Sequence, residues 1–155
     1  MVLGQQRYAG RQVPAEVDIA PLTGQNDIAA VARLYGAAFN EEPWPADWPD
    51  FAGFDAGGVF LARDRGELVG FVVSFVRPQR PDQGYISVVA TAPSYRRRGI
   101  ATALIHSAVE RLWRRGCQEV MIDVAAQNLP ARGAYEQCGF RVAQELVCEE
   151  EEAGQ

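Results

Sequence analysis

The segment Val88 to Ala101, VVATAPSYRRRGIA, constrains this chain more than any other stretch. It closes a run that starts at Tyr85 and is rich in β-branched side chains, which favour a strand. Pro93 breaks that run. Ile100, Leu104, Ala108 and Leu112 then recur every four residues, with Ala101 and Ile105 beside them. This spacing predicts a helix over Arg97 to Arg115 with one apolar face. Gly116 ends it, and Arg114 and Arg115 suit the negative end of its dipole. A strand that turns straight into a helix needs a sheet for that helix to pack on.

The turn carries chemistry of its own. The first N–H groups of a helix lack intrahelical partners and carry partial positive charge. Gly99 and Ala101 keep the approach to that backbone clear, and Arg96, Arg97 and Arg98 add charge. The segment therefore suits an anion such as a pyrophosphate. A basic helix start on a tight turn accounts for the same residues without a ligand.

The other elements follow from periodicity and breakers. Glu16 to Leu22 alternates apolar and polar side chains and reads as a strand. A helix follows, with Asn26 as its cap and Ile28, Val31, Ala32, Leu34, Tyr35, Ala38 and Phe39 at helical spacing. Asn40 to Phe54 holds Pro43, Pro45 and Pro49, which preclude one long helix, so a loop with a short helix is expected. Its Trp44, Trp48, Phe51 and Phe54 need burial, either on the core or around a ligand. Val59–Arg63 and Leu68–Val76 form a hairpin across Asp64-Arg65-Gly66-Glu67, and Pro78–Gly84 is a loop. After the long helix come a strand at Glu119–Ala125, a helix at Pro130–Cys138 closed by Gly139, and a strand at Phe140–Val147. Hairpin strands followed by a strand-helix-strand crossover predict a mixed sheet with helices packed on it, an α/β (α+β) domain. That domain spans 15–147, between a mobile arm at 1–14 and an acidic tail at 148–155.

Composition narrows the function. All fifteen basic residues are Arg, so lysine Schiff-base chemistry and the phosphate-binding lysine of P-loop enzymes are absent. One histidine and the scattered Cys117, Cys138 and Cys148 give neither a multi-histidine site, a CxxC pair nor a disulfide framework, so no metal is expected. The net charge of −5 argues against nucleic acid as a partner, despite the Arg96–Arg98 cluster. No apolar run approaches the ~18 residues of a membrane span, and the first residues lack the apolar centre of a secretory signal, so a cytoplasmic protein is expected. His106 falls opposite the apolar face of its helix and is expected to be exposed and inert, with Trp113 at the helix margin.

Two blocks together resemble the GNAT superfamily of acyl-CoA-dependent N-acetyltransferases. Arg96-x-x-Gly99-x-Ala101 after a strand is similar to that family's (Gln/Arg)-x-x-Gly-x-(Gly/Ala) signature. Asn128-x-x-Ala131-x-x-x-Tyr135-Glu136-x-x-Gly139-Phe140 looks like its Asn…Ala…Tyr-Glu…Gly-Phe ending. The pair is most similar to the N-terminal acetyltransferases of ribosomal proteins. The resemblance runs from about Glu16 to Val147 and implies a mixed, splayed sheet flanked by about four helices. It implies acetyl-CoA as cosubstrate and no metal. The pantetheine would lie in the splay on the backbone of Val89, Ala90 and Thr91, and the N–H groups of Arg97, Arg98, Gly99, Ile100, Ala101 and Thr102 would hold the pyrophosphate. Asn128 would contact the pantetheine, and Tyr135 would protonate the leaving thiolate. A phenol fits that role because it stays protonated at neutral pH, although a packed aromatic fits the position too.

The implied reaction is acetyl transfer to a primary amine, on a small molecule or a peptide, by direct attack in a ternary complex. A non-catalytic acyl-CoA-binding sensor or regulatory domain is the alternative. Many relatives carry a glutamate early on the strand before the motif, where this chain has Tyr85. The substrate side is therefore assigned to Tyr85, Trp44 and Trp48. Proton acceptance is assigned to Glu41 or Glu42, at the end of the first helix, with Asp82 a weaker candidate. Cys148–Gln155 is mostly Glu, so the family's additional final strand is expected to be missing, very short, or replaced by the N-terminal arm or by a second subunit in a homodimer.

Overall fold

The computed structural model describes residues 2–4, 17–123, 135, 136 and 140. Its strands are β1 (Val2–Gly4), β2 (Asp18–Pro21), β3 (Val59–Asp64), β4 (Glu67–Arg77), β5 (Arg80–Thr91) and β6 (Glu119–Ile122). Its α-helices are α1 (Gln25–Phe39) and α2 (Ile100–Arg114). The strands form one sheet in the order β1-β6-β5-β4-β3-β2. Pairing is antiparallel from β2 to β5, and β6 returns parallel to β5 after α2. This is the expected mixed α/β sheet with its crossover. Among the described residues there are two α-helices and two 3₁₀ turns, at Ala56–Gly58 and Pro93–Tyr95, where about four helices were expected. Of the expected helix Pro130–Cys138 only Tyr135 and Glu136 are described, and both are helical. The expected strand Phe140–Val147 lies outside the described residues beyond Phe140.

Alternation along the strands sorts side chains into two cores. Leu61, Phe71 and Val73 pack with Val31 and Leu34 of α1 on one face. Ala62, Val72 and Ile86 pack with Leu104, Ala108 and Leu112 of α2 on the other. Burying each of the Leu, Ile, Val and Phe side chains among them stabilises the fold by about 1.5–3 kcal/mol. α2 settles so closely on the sheet that a Cβ at Gly84 would stand 2.7 Å from Leu112 Cδ1.

Several expectations are corrected. Pro78 and Gln79 alone form the turn between β4 and β5. Arg80–Gly84, expected in a loop, extend the strand as Arg77 pairs with Arg80 and Val76 with Gly84. α2 starts at Ile100 instead of Arg97, because Arg97 (φ 66°) and Gly99 (φ 82°) sit in the left-handed region that no right-handed helix can include. α1 is capped at Gly24, not Asn26. The carboxylate of Asp27 reaches back to accept both the N–H and the hydroxyl of Thr23 at 3.0 Å, and pairs with Arg63. Residues 40–55 hold turns and no helix, and the short helical turn falls later, at Ala56–Gly58. His106 is 4% exposed, because every residue from Ala103 to Val109 is buried and α2 is enclosed around its circumference. Val2–Gly4, within the expected mobile arm, pairs antiparallel with β6, Val2 opposite Met121. No described helix is long and apolar enough to cross a membrane.

Candidate active site

The helix start makes a cradle of main-chain donors. Ala103 N–H bonds Gly99 O at 3.0 Å as the first α-helical bond of α2. The N–H groups of Ile100, Ala101 and Thr102 therefore have no intrahelical partner. Ile100 buries its side chain in the α2 core and anchors this turn, while Arg96, Arg97, Arg98 and Gly99 are exposed. Two of the three guanidinium groups support the loop. Arg96 donates to the carbonyl of Ala38 in the last turn of α1 at 2.5 Å. Arg98 stacks 4.6 Å above the ring of Tyr95, whose hydroxyl donates to Asp64 at 2.7 Å.

Among the described residues, the edge of β5 below this cradle has no strand beside it, which leaves a gap there. Among those residues, that strand pairs with β4 as far as Thr91, but with β6 only from Gln83 to Ile86. Ala92 donates its N–H to Val69 O on the β4 side at 2.8 Å. Strand alternation therefore turns the main chain of Thr91 and Val89 towards the gap, and that of Ala90 towards β4.

The proline-rich loop borders the same sheet face. It folds back along α1, with Trp44 N–H on Ala32 O at 3.2 Å and Trp48 Nε1 on Ile28 O at 2.9 Å. Its rings stack in series: Tyr35–Trp44 at 4.3 Å, Trp44–Trp48 at 5.3 Å, Trp48–Phe54 at 5.8 Å. Trp44 also meets Phe71 at 5.8 Å, which ties the loop to the α1 core. The loop thus covers the core and walls a cavity of about 430 Å³, lined by Trp44, Pro45, Trp48 and Phe51 with Val73, Phe75 and Ser87. The series continues through Phe51–Phe75 at 5.3 Å to Phe75–Tyr85 at 5.5 Å.

Carboxylates stand in two places. Glu41 and Glu42 are exposed just beyond α1, outside the cavity lining, and Glu41 Oε1 accepts from the Tyr35 hydroxyl at 3.2 Å. Tyr85 donates its hydroxyl to Asp123 Oδ2 at 2.7 Å. Burial, and then this bond to a carboxylate, push the Tyr85 phenol up to about 12. No local pattern singles out Asp123, which lies within the strand expected over Glu119–Ala125. Its meaning depends on the parallel register that sets Tyr85 opposite Met121, which no local pattern records. Tyr135 is half-buried against the α2 core, with its ring 6.2 Å from that of Phe140. Asn128 lies outside the described residues.

A family model described as "Acetyltransferase (GNAT) family" matches residues 28–140. A mycothiol acetyltransferase of Mycobacterium sp. (strain MCS) is 31% identical over 141 residues, covering 82% of this chain and 46% of its own length. The chain thus spans about half the length of the curated relatives it matches. A GCN5-related N-acetyltransferase from Sphaerobacter thermophilus superposes with a TM-score of 0.76 at 23% identity, over 89% of this chain and 45% of that one. The ribosomal-protein-S18-alanine N-acetyltransferase of Escherichia coli superposes with a TM-score of 0.69 at 24% identity, over 83% and 79%. At these identities the two solved structures establish a shared fold.

Proposed function

The chain belongs to the acetyltransferase (GNAT) family, and on that premise we propose that it moves an acetyl group from acetyl-CoA to a primary amine by direct attack in a ternary complex. The observation that carries this reading is the edge of β5, unpaired from Ser87 to Thr91 among the described residues, which links the main-chain cradle at Ile100–Thr102 to the end of the β5–β6 pairing beside Tyr85. Pyrophosphate in the cradle leaves the pantetheine to run along Thr91 and Val89 as a surrogate strand. Its thioester then reaches the fork next to the aromatic cavity.

In this reading the amine's carrier rests against Trp44 and Trp48, and Tyr135 protonates the departing thiolate. The amine must lose a proton before it attacks, since a primary amine of pKa near ~10.4 is almost wholly protonated at neutral pH. Glu41 and Glu42 are two candidates to accept it, and a third is taken up below. Relatives named for mycothiol and for a ribosomal-protein alanine keep both small-molecule and peptide amines open.

The test is thiol release from acetyl-CoA with a panel of primary amines, alongside calorimetry of acetyl-CoA binding. Amine-dependent release supports the enzyme. Tight acetyl-CoA binding with no release on any amine points to an acyl-CoA sensor, and absence of binding removes both readings.

A further inference from the structure

We infer that Tyr85 and Asp123 form a proton relay that anchors the acceptor's ammonium group and takes its proton before attack. This rests on the acetyl-transfer reading above. Among the described residues, Ile86 and Ile122 are the last pair in the register of β5 and β6. Tyr85 and Asp123 flank that pair, and the Tyr85 hydroxyl donates to Asp123 Oδ2 at 2.7 Å. With its one proton committed to Asp123, the hydroxyl presents only lone pairs outward, and an ammonium group is a pure donor that matches them.

Phe51, Phe75 and Tyr85 run in series from the cavity to that hydroxyl. A cation is attracted to such ring faces. The class of acceptor this geometry favours is a primary amine on a flat or apolar body, with the body in the cavity and the nitrogen at Tyr85. Among the described residues, the charged groups facing Tyr85 are Asp123 from β6 and Arg77 from β4, whose guanidinium lies 5.9 Å from the ring centre. Burial and the Asp123 carboxylate push the phenol up to about 12, so it passes protons as a neutral hydroxyl and does not act as a tyrosinate.

The step balances. An N–H proton of the ammonium moves to the Tyr85 oxygen as the Tyr85 proton moves to Asp123. The freed nitrogen lone pair attacks the thioester carbonyl carbon, a C–N bond forms and the C–S bond breaks. The thiolate is protonated by Tyr135, and the second proton that the nitrogen sheds on becoming an amide restores the Tyr135 hydroxyl by way of solvent. Asp123, which is exposed, then returns its proton to water.

The experiment measures kcat/KM against pH for wild type, Asp123→Asn, Asp123→Glu, Tyr85→Phe, Glu41→Gln and Glu42→Gln. The acceptor is whichever of phenethylamine, tryptamine and Ala-Phe-Ala-amide the wild type uses best, and acetyl-CoA affinity is measured on each variant. Asp123→Asn is expected to lose about 10²-fold at pH 7, the lower end for a positioned acid–base group. That deficit should shrink as pH approaches 10, where the amine deprotonates in solution. Asp123→Glu should recover part of the loss, and acetyl-CoA affinity should not change. Tyr85→Phe should behave as Asp123→Asn does. A deficit constant with pH, or wild-type kcat/KM in Asp123→Asn, overturns the relay. So does loss of the acidic limb in Glu41→Gln or Glu42→Gln while Asp123→Asn retains it. If the wild type binds acetyl-CoA and acetylates none of the three amines, the acetyl-transfer reading fails for them and the relay falls with it.

Discussion

The two ends of the gap beside β5 are made of different material. At the α2 end the exposed polar groups are main-chain N–H, set by Gly99 at φ 82° and by the small side chain of Ala101, while Arg96 and Arg98 brace the loop. At the β6 end they are side chains: four aromatic rings, a phenol and a carboxylate. A backbone cradle suits a part of the ligand that never varies, because it asks only for a conformation and for small residues. A side-chain wall suits the part that does vary, because each substitution reshapes it without disturbing the cradle.

The largest expected effect breaks the cradle. Gly99→Glu should abolish acetyl-CoA binding in calorimetry, because it forces a side chain into a left-handed conformation and puts a carboxylate against the phosphates. Ala101→Glu separates these causes. A carboxylate in the first turn of a helix is favourable for the fold, so this variant should keep its Tm and still lose affinity by at least ~10²-fold, as expected for a like charge in an anion site. Wild-type affinity in Ala101→Glu would dissolve the distinction between the two ends. Next in size, Tyr135→Phe should lower turnover by ~10²–10⁴-fold, the range for loss of a positioned acid, with acetyl-CoA affinity retained. Unchanged turnover would make Tyr135 a packing residue only.

The wall should respond more gently. Trp44→Ala removes a stack on Tyr35 and a contact with Phe71. It should raise the amine KM about tenfold, in line with ~1.5 kcal/mol for an aromatic contact, and leave acetyl-CoA affinity alone. An equal loss of acetyl-CoA affinity would mean that the two ends are one site. The smallest effect is in stability. Tyr85 holds its proton up to about 12 in the fold, above the ~10 of an unperturbed tyrosine. The folded state therefore binds this proton where the unfolded state has lost it. The associated stability is complete below pH 10 and disappears as pH rises through 12. Denaturant titrations across that window should show a decline in wild type that is reduced in Tyr85→Phe.

The same division explains what was legible in the sequence. Elements with strong local signals came through: the four-residue apolar spacing of α2, the hairpin around Arg65-Gly66, and the breaker at Pro93. The Arg-Gly motif that opens α2 is local as well, which is why the strand-turn-helix at that end was legible. Boundaries failed where conformation overrode pattern, as at Arg97 and Gly99, or where a hairpin turn tightened to Pro78-Gln79. His106 failed because a helical wheel assumes one wet face, and α2 has none between Ala103 and Val109. The Tyr85–Asp123 contact joins residues 38 apart through a parallel register, and no window of sequence contains it.

The edge of β5 also bears on how the protein behaves in a tube. From Ser87 to Thr91, β5 finds no partner on its gap side among the described residues. A strand with donors and acceptors to spare is a template for any extended chain, including another copy of itself. A ligand lying in the gap would occupy that template, and at a hundredfold excess over its Kd it would add about 2.7 kcal/mol to the folded state. Preparations stripped of cofactor should then aggregate at lower temperature than loaded ones, so that shelf life follows coenzyme supply.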